Sequence, residues 1–183
     1  MMGMVFTELL DMVEARFSLD MVDAVLARSG ARGVYTSVGN YDDAELGAIV
    51  TALSAETGVP VPDLLHAYGS HLLHRFVALF PGFFDAQPDA IGFLRVLETH
   101  VHTEVRKLYP AAHPPLFTCE DGDGGVLWLE YRSPRGLWRF AQGLLEATLA
   151  HYGDRHQVGA VTDLSGGAGT HVRFEVRPAG PAA

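Results

Sequence analysis

Apolar residues recur at intervals of three and four through the first part of the chain, and at intervals of two through much of the remainder. The first spacing is that of helices with one face on a core, the second that of half-buried strands. Val5, Phe6, Leu9, Leu10, Met12, Val13 and Phe17 predict a helix over residues 4–17. A short second helix follows from about Leu19, with Asp20 as its cap and Gly30 as its stop. Gly33–Asn40 is a turn-rich connector. Asp42 or Asp43 then opens a helix that carries Leu46, Ile49, Val50 and Leu53 and ends at Gly58. Pro60 and Pro62 suit the start of the next helix, predicted over Asp63–Phe80 with Gly69 in its middle. A mid-helix glycine costs about 1 kcal/mol against alanine, so it is either a tolerated defect or a place where the backbone approaches something closely.

Pro81-Gly82 breaks that helix, and a loop through Pro88 leads to a helix over Leu94–Pro110. Its apolar stripe is Leu94, Leu97, Val101, Val105 and Leu108. Beyond Pro115 the period changes. Leu116–Glu120 and Val126–Tyr131 read as strands around the turn at 121–125, Leu137–Tyr152 as an amphipathic helix stopped by Gly153, and Gln157–Leu164 and Thr170–Val176 as a closing hairpin. The Pro/Ala/Gly-rich tail Arg177–Ala183 is expected to fray. Helices followed by strand–strand–helix–strand–strand make an α+β fold: a helical N-terminal subdomain, then an antiparallel four-stranded sheet with helices.

Composition narrows the function. The 183 residues are 48% hydrophobic and 19% charged, enough to bury one core and a cofactor. A formal charge of −9 leaves no basic stripe for nucleic acid or an anionic membrane. A single cysteine, Cys119, excludes an internal disulfide, and it reads as a structural thiol because no basic neighbour favours a thiolate. The opening MMGMVFTELLDMVEARF lacks the basic run of a signal peptide, and no apolar run reaches membrane-spanning length. A cytoplasmic, soluble protein is expected.

Three groups of residues could carry chemistry. His100 and His102, two apart on one helix, point away from each other and cannot share a metal. Each is a ligand or an ordinary surface or core histidine, and periodicity does not choose. His71 and His74 could share a metal, yet no carboxylate or cysteine joins them at helical spacing, which favours a solvated face. Tyr131, Ser133 and Arg135 at i, i+2 and i+4 fall on one side of an extended segment. They are either a carboxylate clamp of two hydroxyls and a guanidinium or a plain strand end.

HTEVRKLYP at His102–Pro110, then PPLF at Pro114–Phe117 and YRSPR at Tyr131–Arg135, resembles the haem nitric oxide/oxygen-binding (H-NOX) family. This haem sensor domain occurs alone in bacteria and within soluble guanylate cyclase. The resemblance spans nearly the whole chain. It implies one haem-binding domain over residues 1–183, helical to about residue 60, with haem held between that part and the rest. His102 becomes the proximal iron ligand and His100 a bystander. Tyr131, Ser133 and Arg135 match the Tyr-x-Ser-x-Arg that holds the haem propionates, Pro115 matches the proline that leans on the porphyrin, and Gly69 is expected to face the haem edge. No C-x-x-C-H occurs, so the haem that the resemblance implies is expected to be b-type and non-covalent.

The distal wall implied by the resemblance is Val5, Leu9, Leu72, Leu73, Phe140 and Leu144, all apolar. Family members with a tyrosine at the Phe140 position bind O2, and phenylalanine cannot donate a hydrogen bond. The expected function is a non-enzymatic sensor that binds NO and CO at ferrous haem and excludes O2. In the family's mechanism NO weakens the Fe–His bond, the His102 helix is freed, and a histidine kinase or diguanylate cyclase reads the change. Some relatives carry a cysteine- and histidine-rich zinc site between the last strands. Here that region reads DLSGGAGTH, and no zinc is expected. Two alternatives come from other classes. A peroxidase-type haem enzyme needs distal acid–base groups that an apolar wall lacks, and a cofactor-free interaction module would be colourless.

Overall fold

The computed structural model describes residues 1–180. Its elements run α1 (Gly3–Arg16), α2 (Leu19–Ser29), α3 (Asp43–Thr57), α4 (Val61–Leu79), α5 (Pro81–Asp85), α6 (Ala90–Val96), a π-helical turn (Leu97–Val101), α7 (His102–Leu108), β1 (Leu116–Asp121), a 3-10 turn (Asp123–Gly125), β2 (Leu127–Arg132), α8 (Trp138–His151), β3 (His156–Asp163) and β4 (His171–Pro178). The strands form one antiparallel sheet in the order β1-β2-β4-β3. This is the α+β arrangement that the change of period predicts. Among the described residues, no helix is long and apolar enough to cross a membrane.

Alternation in β2 places Leu127, Leu129 and Tyr131 on one face, opposite Val176, Phe174 and Val172 of β4. All six are buried, and α8 covers them with Ala141, Leu145 and Leu149. A second core joins α1 to α4 through Phe6, Val13, Val25, Ile49, Leu53 and Tyr68. The buried Tyr68 hydroxyl donates to the Val5 carbonyl and so pins α4 to α1.

The join between these cores explains Gly69. A Cβ added there would lie 2.1 Å from the Phe140 carbonyl oxygen, and one added at Gly143 would lie 2.0 Å from that of His66. The close approach is therefore α4 against α8, backbone on backbone, and not the haem edge that the resemblance implied. Gly143→Ala separates the two opposing effects. Helix propensity alone favours alanine by about 1 kcal/mol, whereas overpacking costs about 1–3 kcal/mol. We expect the loss, read as a lower urea midpoint at unchanged m-value; an equal or higher midpoint refutes the contact.

Several boundaries differ from the sequence reading. Ser18, with an extended backbone, caps α2 by accepting the Met21 N–H at 3.2 Å, which leaves Asp20 inside the first turn. Asp42 caps α3 through the Ala44 N–H at 2.9 Å. Pro81 opens the short helix α5 where a loop was expected, since a fixed φ suits a first turn as well as a break. The helical run to His102 begins at Ala90, capped by Asp89, ends at Leu108 and contains the π turn. Arg177 and Pro178 are paired in β4 and not frayed, while residues 181–183 of the predicted tail lie outside the described residues. In the glycine-rich β3–β4 connection the Asp163 carboxylate accepts the N–H groups of Ser165, Gly167 and Gly169 at 2.7, 3.0 and 3.1 Å.

Candidate functional site

Between the two cores lies a cavity of about 290 Å³ with a lining that is almost wholly apolar. Val5 reaches it from α1, Leu72 and Leu73 from α4, and Phe140 and Leu144 from α8. His102 enters from α7, Pro115 from the segment before β1, and Tyr131, Ser133 and Arg135 from the end of β2 and the turn after it. Leu9 does not line the cavity: it is buried one layer behind, in the α1–α4 core. The α1 face is wide enough that Val5 and Leu9 share a stripe, yet the stripe leaves the cavity after its first turn. The sequence reading also missed Phe76, Phe80, Phe83 and Val101 among the lining residues. Val101 stands on the stripe read from Leu94 to Leu108, and Phe76 and Phe80 on the helix predicted over Asp63–Phe80, whereas Phe83 belongs to the unforeseen α5.

His102 is oriented before any ligand arrives. Its Nδ1 lies 3.0 Å from Glu98 Oε2, one turn earlier on the same helical run. With Nδ1 held, Nε2 is the ring nitrogen that can bind a metal. Burial lowers the imidazole below its ordinary pKa, so the neutral, metal-binding form is favoured at neutral pH. Burial alone would push the Glu98 carboxyl up, but bonds from Arg106, His102 and the Phe117 N–H hold it below the ordinary carboxylate value. His100 is exposed, with its ring edge-on to Phe83. Glu98 was legible as the i−4 neighbour of His102, though nothing in the spacing says that the pair would be shielded from water.

The polar end of the cavity is built differently from a strand edge. β2 ends at Arg132, and Ser133 to Gly136 turn, with the Gly136 N–H on the Ser133 carbonyl at 3.4 Å. Tyr131 and Ser133 are both buried. The Tyr131 hydroxyl accepts the Leu137 N–H at 3.1 Å, leaving its own hydrogen to donate. Burial raises the phenol above its usual pKa and keeps that hydrogen in place. Arg135 Nε pairs with Asp43 Oδ2 at 2.5 Å, and Nη1 donates to the His113 carbonyl at 2.5 Å. A guanidinium has five N–H donors, so hydrogens remain for a carboxylate guest.

Donors near the apolar wall are already engaged. The Tyr68 hydroxyl goes to Val5, and the Thr148 hydroxyl donates to the Leu144 carbonyl at 2.8 Å. Cys119 is half-buried under the helical run, and its thiol, raised by burial, donates to the Leu94 carbonyl at 3.5 Å.

An apolar slot with the buried His102 imidazole on its wall and two hydroxyls and a guanidinium at its end suits a flat macrocycle carrying a central metal and rim carboxylates. That donor set fits haem and defines the chain as a haem-holding α+β domain. The Haem-NO-binding family model matches residues 2–159. An unliganded Fe(II) H-NOX protein from K. algicida is 34% identical, with a TM-score of 0.91 over 100% of this chain and 99% of that one. The IWP-051-bound H-NOX from Shewanella woodyi in the Fe(II)CO state is 34% identical, with a TM-score of 0.84 over 100% and 97%. An H-NOX protein from S. oneidensis in the Fe(II)NO state is 26% identical, with a TM-score of 0.89 over 97% and 99%. No curated protein matches the chain. The chain belongs to the Haem-NO-binding (H-NOX) family, the fold of haem-based gas sensors, and its cofactor is haem.

Proposed function

We propose that the chain is a sensor of NO and CO that does not retain O2, and that it signals through the helical run carrying His102. The observation that carries the selectivity is the apolar wall: Phe140 has no donor, and the Tyr68 and Thr148 hydroxyls are bonded elsewhere. Bound O2 needs a hydrogen-bond donor far more than NO or CO does. When bound, haem would supply a ferrous iron able to take up a diatomic gas.

In this reading the protein's residues divide the work. His102 would hold the iron through Nε2. Tyr131, Ser133 and Arg135 would bind the propionates by charge-assisted bonds, and Pro115 would stand against the porphyrin. Val5, Leu72, Leu73, Phe140 and Leu144 exclude water from the gas side. Were the His102 imidazole no longer held in the site, α7 and the π turn would be untied from it. The chain acts as one domain, in which the helical first sixty or so residues then shift against the rest. A histidine kinase or diguanylate cyclase in the cytoplasm reads the shift, provided that it binds the two states with different affinity.

The test is the absorption spectrum of the anaerobic ferrous protein, then with NO, with CO and with air. We expect the Soret band to move with NO and CO and to show no reversible O2 adduct in air. Reversible O2 uptake overturns the selectivity. A protein that stays colourless after expression with ample haem is the interaction module, and steady peroxide turnover makes it an enzyme.

A further inference from the structure

The proposed function uses one nitrogen of His102, while the other is held by a residue to which that reading assigns no role. Glu98 sits in the π turn, and its carboxylate lies in reach of three groups from two elements beyond that turn. Oε2 is 3.0 Å from His102 Nδ1 and 3.3 Å from the Phe117 N–H of β1, and Oε1 pairs with the Arg106 guanidinium. The Glu98 side chain is only 21% exposed and that of His102 13%, so water does not dilute the contact. The widened turn helps to set the geometry. The His102 N–H bonds to the Leu97 carbonyl five residues back, and the Thr103 hydroxyl donates to the Glu98 carbonyl at 3.2 Å. A π turn of this kind is a local distortion often kept at functional sites.

We propose that Glu98 is a positioning residue for the proximal bond, tuning how readily it breaks. By accepting the Nδ1 hydrogen, the carboxylate fixes the tautomer and ring plane and makes Nε2 a stronger donor to iron. Arg106 opposes it, because its cation draws on the same carboxylate and weakens the pull on Nδ1. The balance of the two sets the strength of the iron–histidine bond and the threshold at which a gas severs it. This inference rests on the reading of His102 as the iron ligand.

Resonance Raman spectroscopy of the ferrous, gas-free holoprotein reads that bond directly through the iron–histidine stretch. We expect Glu98→Gln to lower the frequency, Glu98→Ala to lower it further, and Arg106→Leu to raise it. The Fe(III)/Fe(II) midpoint should rise in Glu98→Gln, since a polarised imidazole favours ferric iron. A tenfold change in relative affinity corresponds to about 59 mV for one electron. A merely structural role would shift the Glu98 and Arg106 variants the same way, and that outcome overturns the proposal. An unmoved stretch in Glu98→Gln also overturns it. Absence of any iron–histidine stretch in the unmutated protein defeats the ligand assignment instead, so the two failures are distinguishable.

Discussion

Replacing His102 by glycine is expected to leave a protein that keeps haem only while imidazole is supplied. The side chain is the imidazole that the structure presents to the cavity with its second nitrogen already engaged, and glycine leaves a space of imidazole's shape behind it. Loss of an outer partner of a metal ligand typically costs 10–100-fold in affinity. Loss of the ligand itself should exceed roughly 100-fold. Haem dissociation, followed by transfer to an acceptor protein, measures the effect, and added imidazole should reverse most of it. His100→Gly is the control, because that ring is exposed and only brushes Phe83. A His102→Gly variant that holds five-coordinate haem tightly without imidazole removes His102 from the site.

Phe140→Tyr is expected to convert the protein into one that takes up O2 reversibly. Phe140 lines the cavity from α8 with its ring tilted against Tyr68, the centroids 5.2 Å apart. A hydroxyl added there enters a space almost without polar lining, where a hydrogen bond to a charged or strongly polarised partner is worth about 1.5–3 kcal/mol. That is roughly a 10–100-fold gain in O2 affinity, at 1.4 kcal/mol per tenfold. NO affinity should change much less. Oxygen titration of the ferrous variant beside the unmutated protein decides the matter. If both fail to take up O2, the hydroxyl at this position does not reach the gas; if both succeed, a donor other than residue 140 is at work.

The parts of this architecture that depend on side-chain pattern could be read from the chain. Helices with broad apolar faces and the alternating strand β2 announced themselves, as did caps such as Asp42. What the pattern did not carry was backbone geometry. The stripe from Leu94 to Leu108 is spaced as an ordinary helix would be, so it concealed a π turn, which is a change of hydrogen-bond partner and not of residue type. Pro81 signals a stop and a start with equal force, and the sequence offers only a few residues to tell α5 from a loop. Gly69 was read as a tolerated defect or a close approach, which the resemblance assigned to the haem edge, whereas its partner lies more than seventy residues away on α8. For the site, the family motifs singled out His102, Tyr131, Ser133 and Arg135, and all four line the cavity. Leu9 was mislocated because a helical stripe says which residues face inward and not which layer each one meets.

The crossing of α4 and α8 has a mechanical consequence. At Gly69 and Gly143 no side chain separates the two backbones, so nothing between them can compress or slide. α4 contributes Leu64, Tyr68 and Leu72 to one core, and α8 contributes Ala141, Leu145 and Leu149 to the other. Around this crossing the two helices are tied along their length, by His66 to Glu146, by the Ser70 hydroxyl to the Gly143 carbonyl and by Arg139 to Asp63. They form one strut, and any shift of the first sixty residues is a motion of α1–α3 over it. Leu72 and Leu73 lie within one helical turn of Gly69, as do Phe140 and Leu144 of Gly143. These four side chains therefore keep their places relative to one another, and that part of the cavity wall keeps its shape.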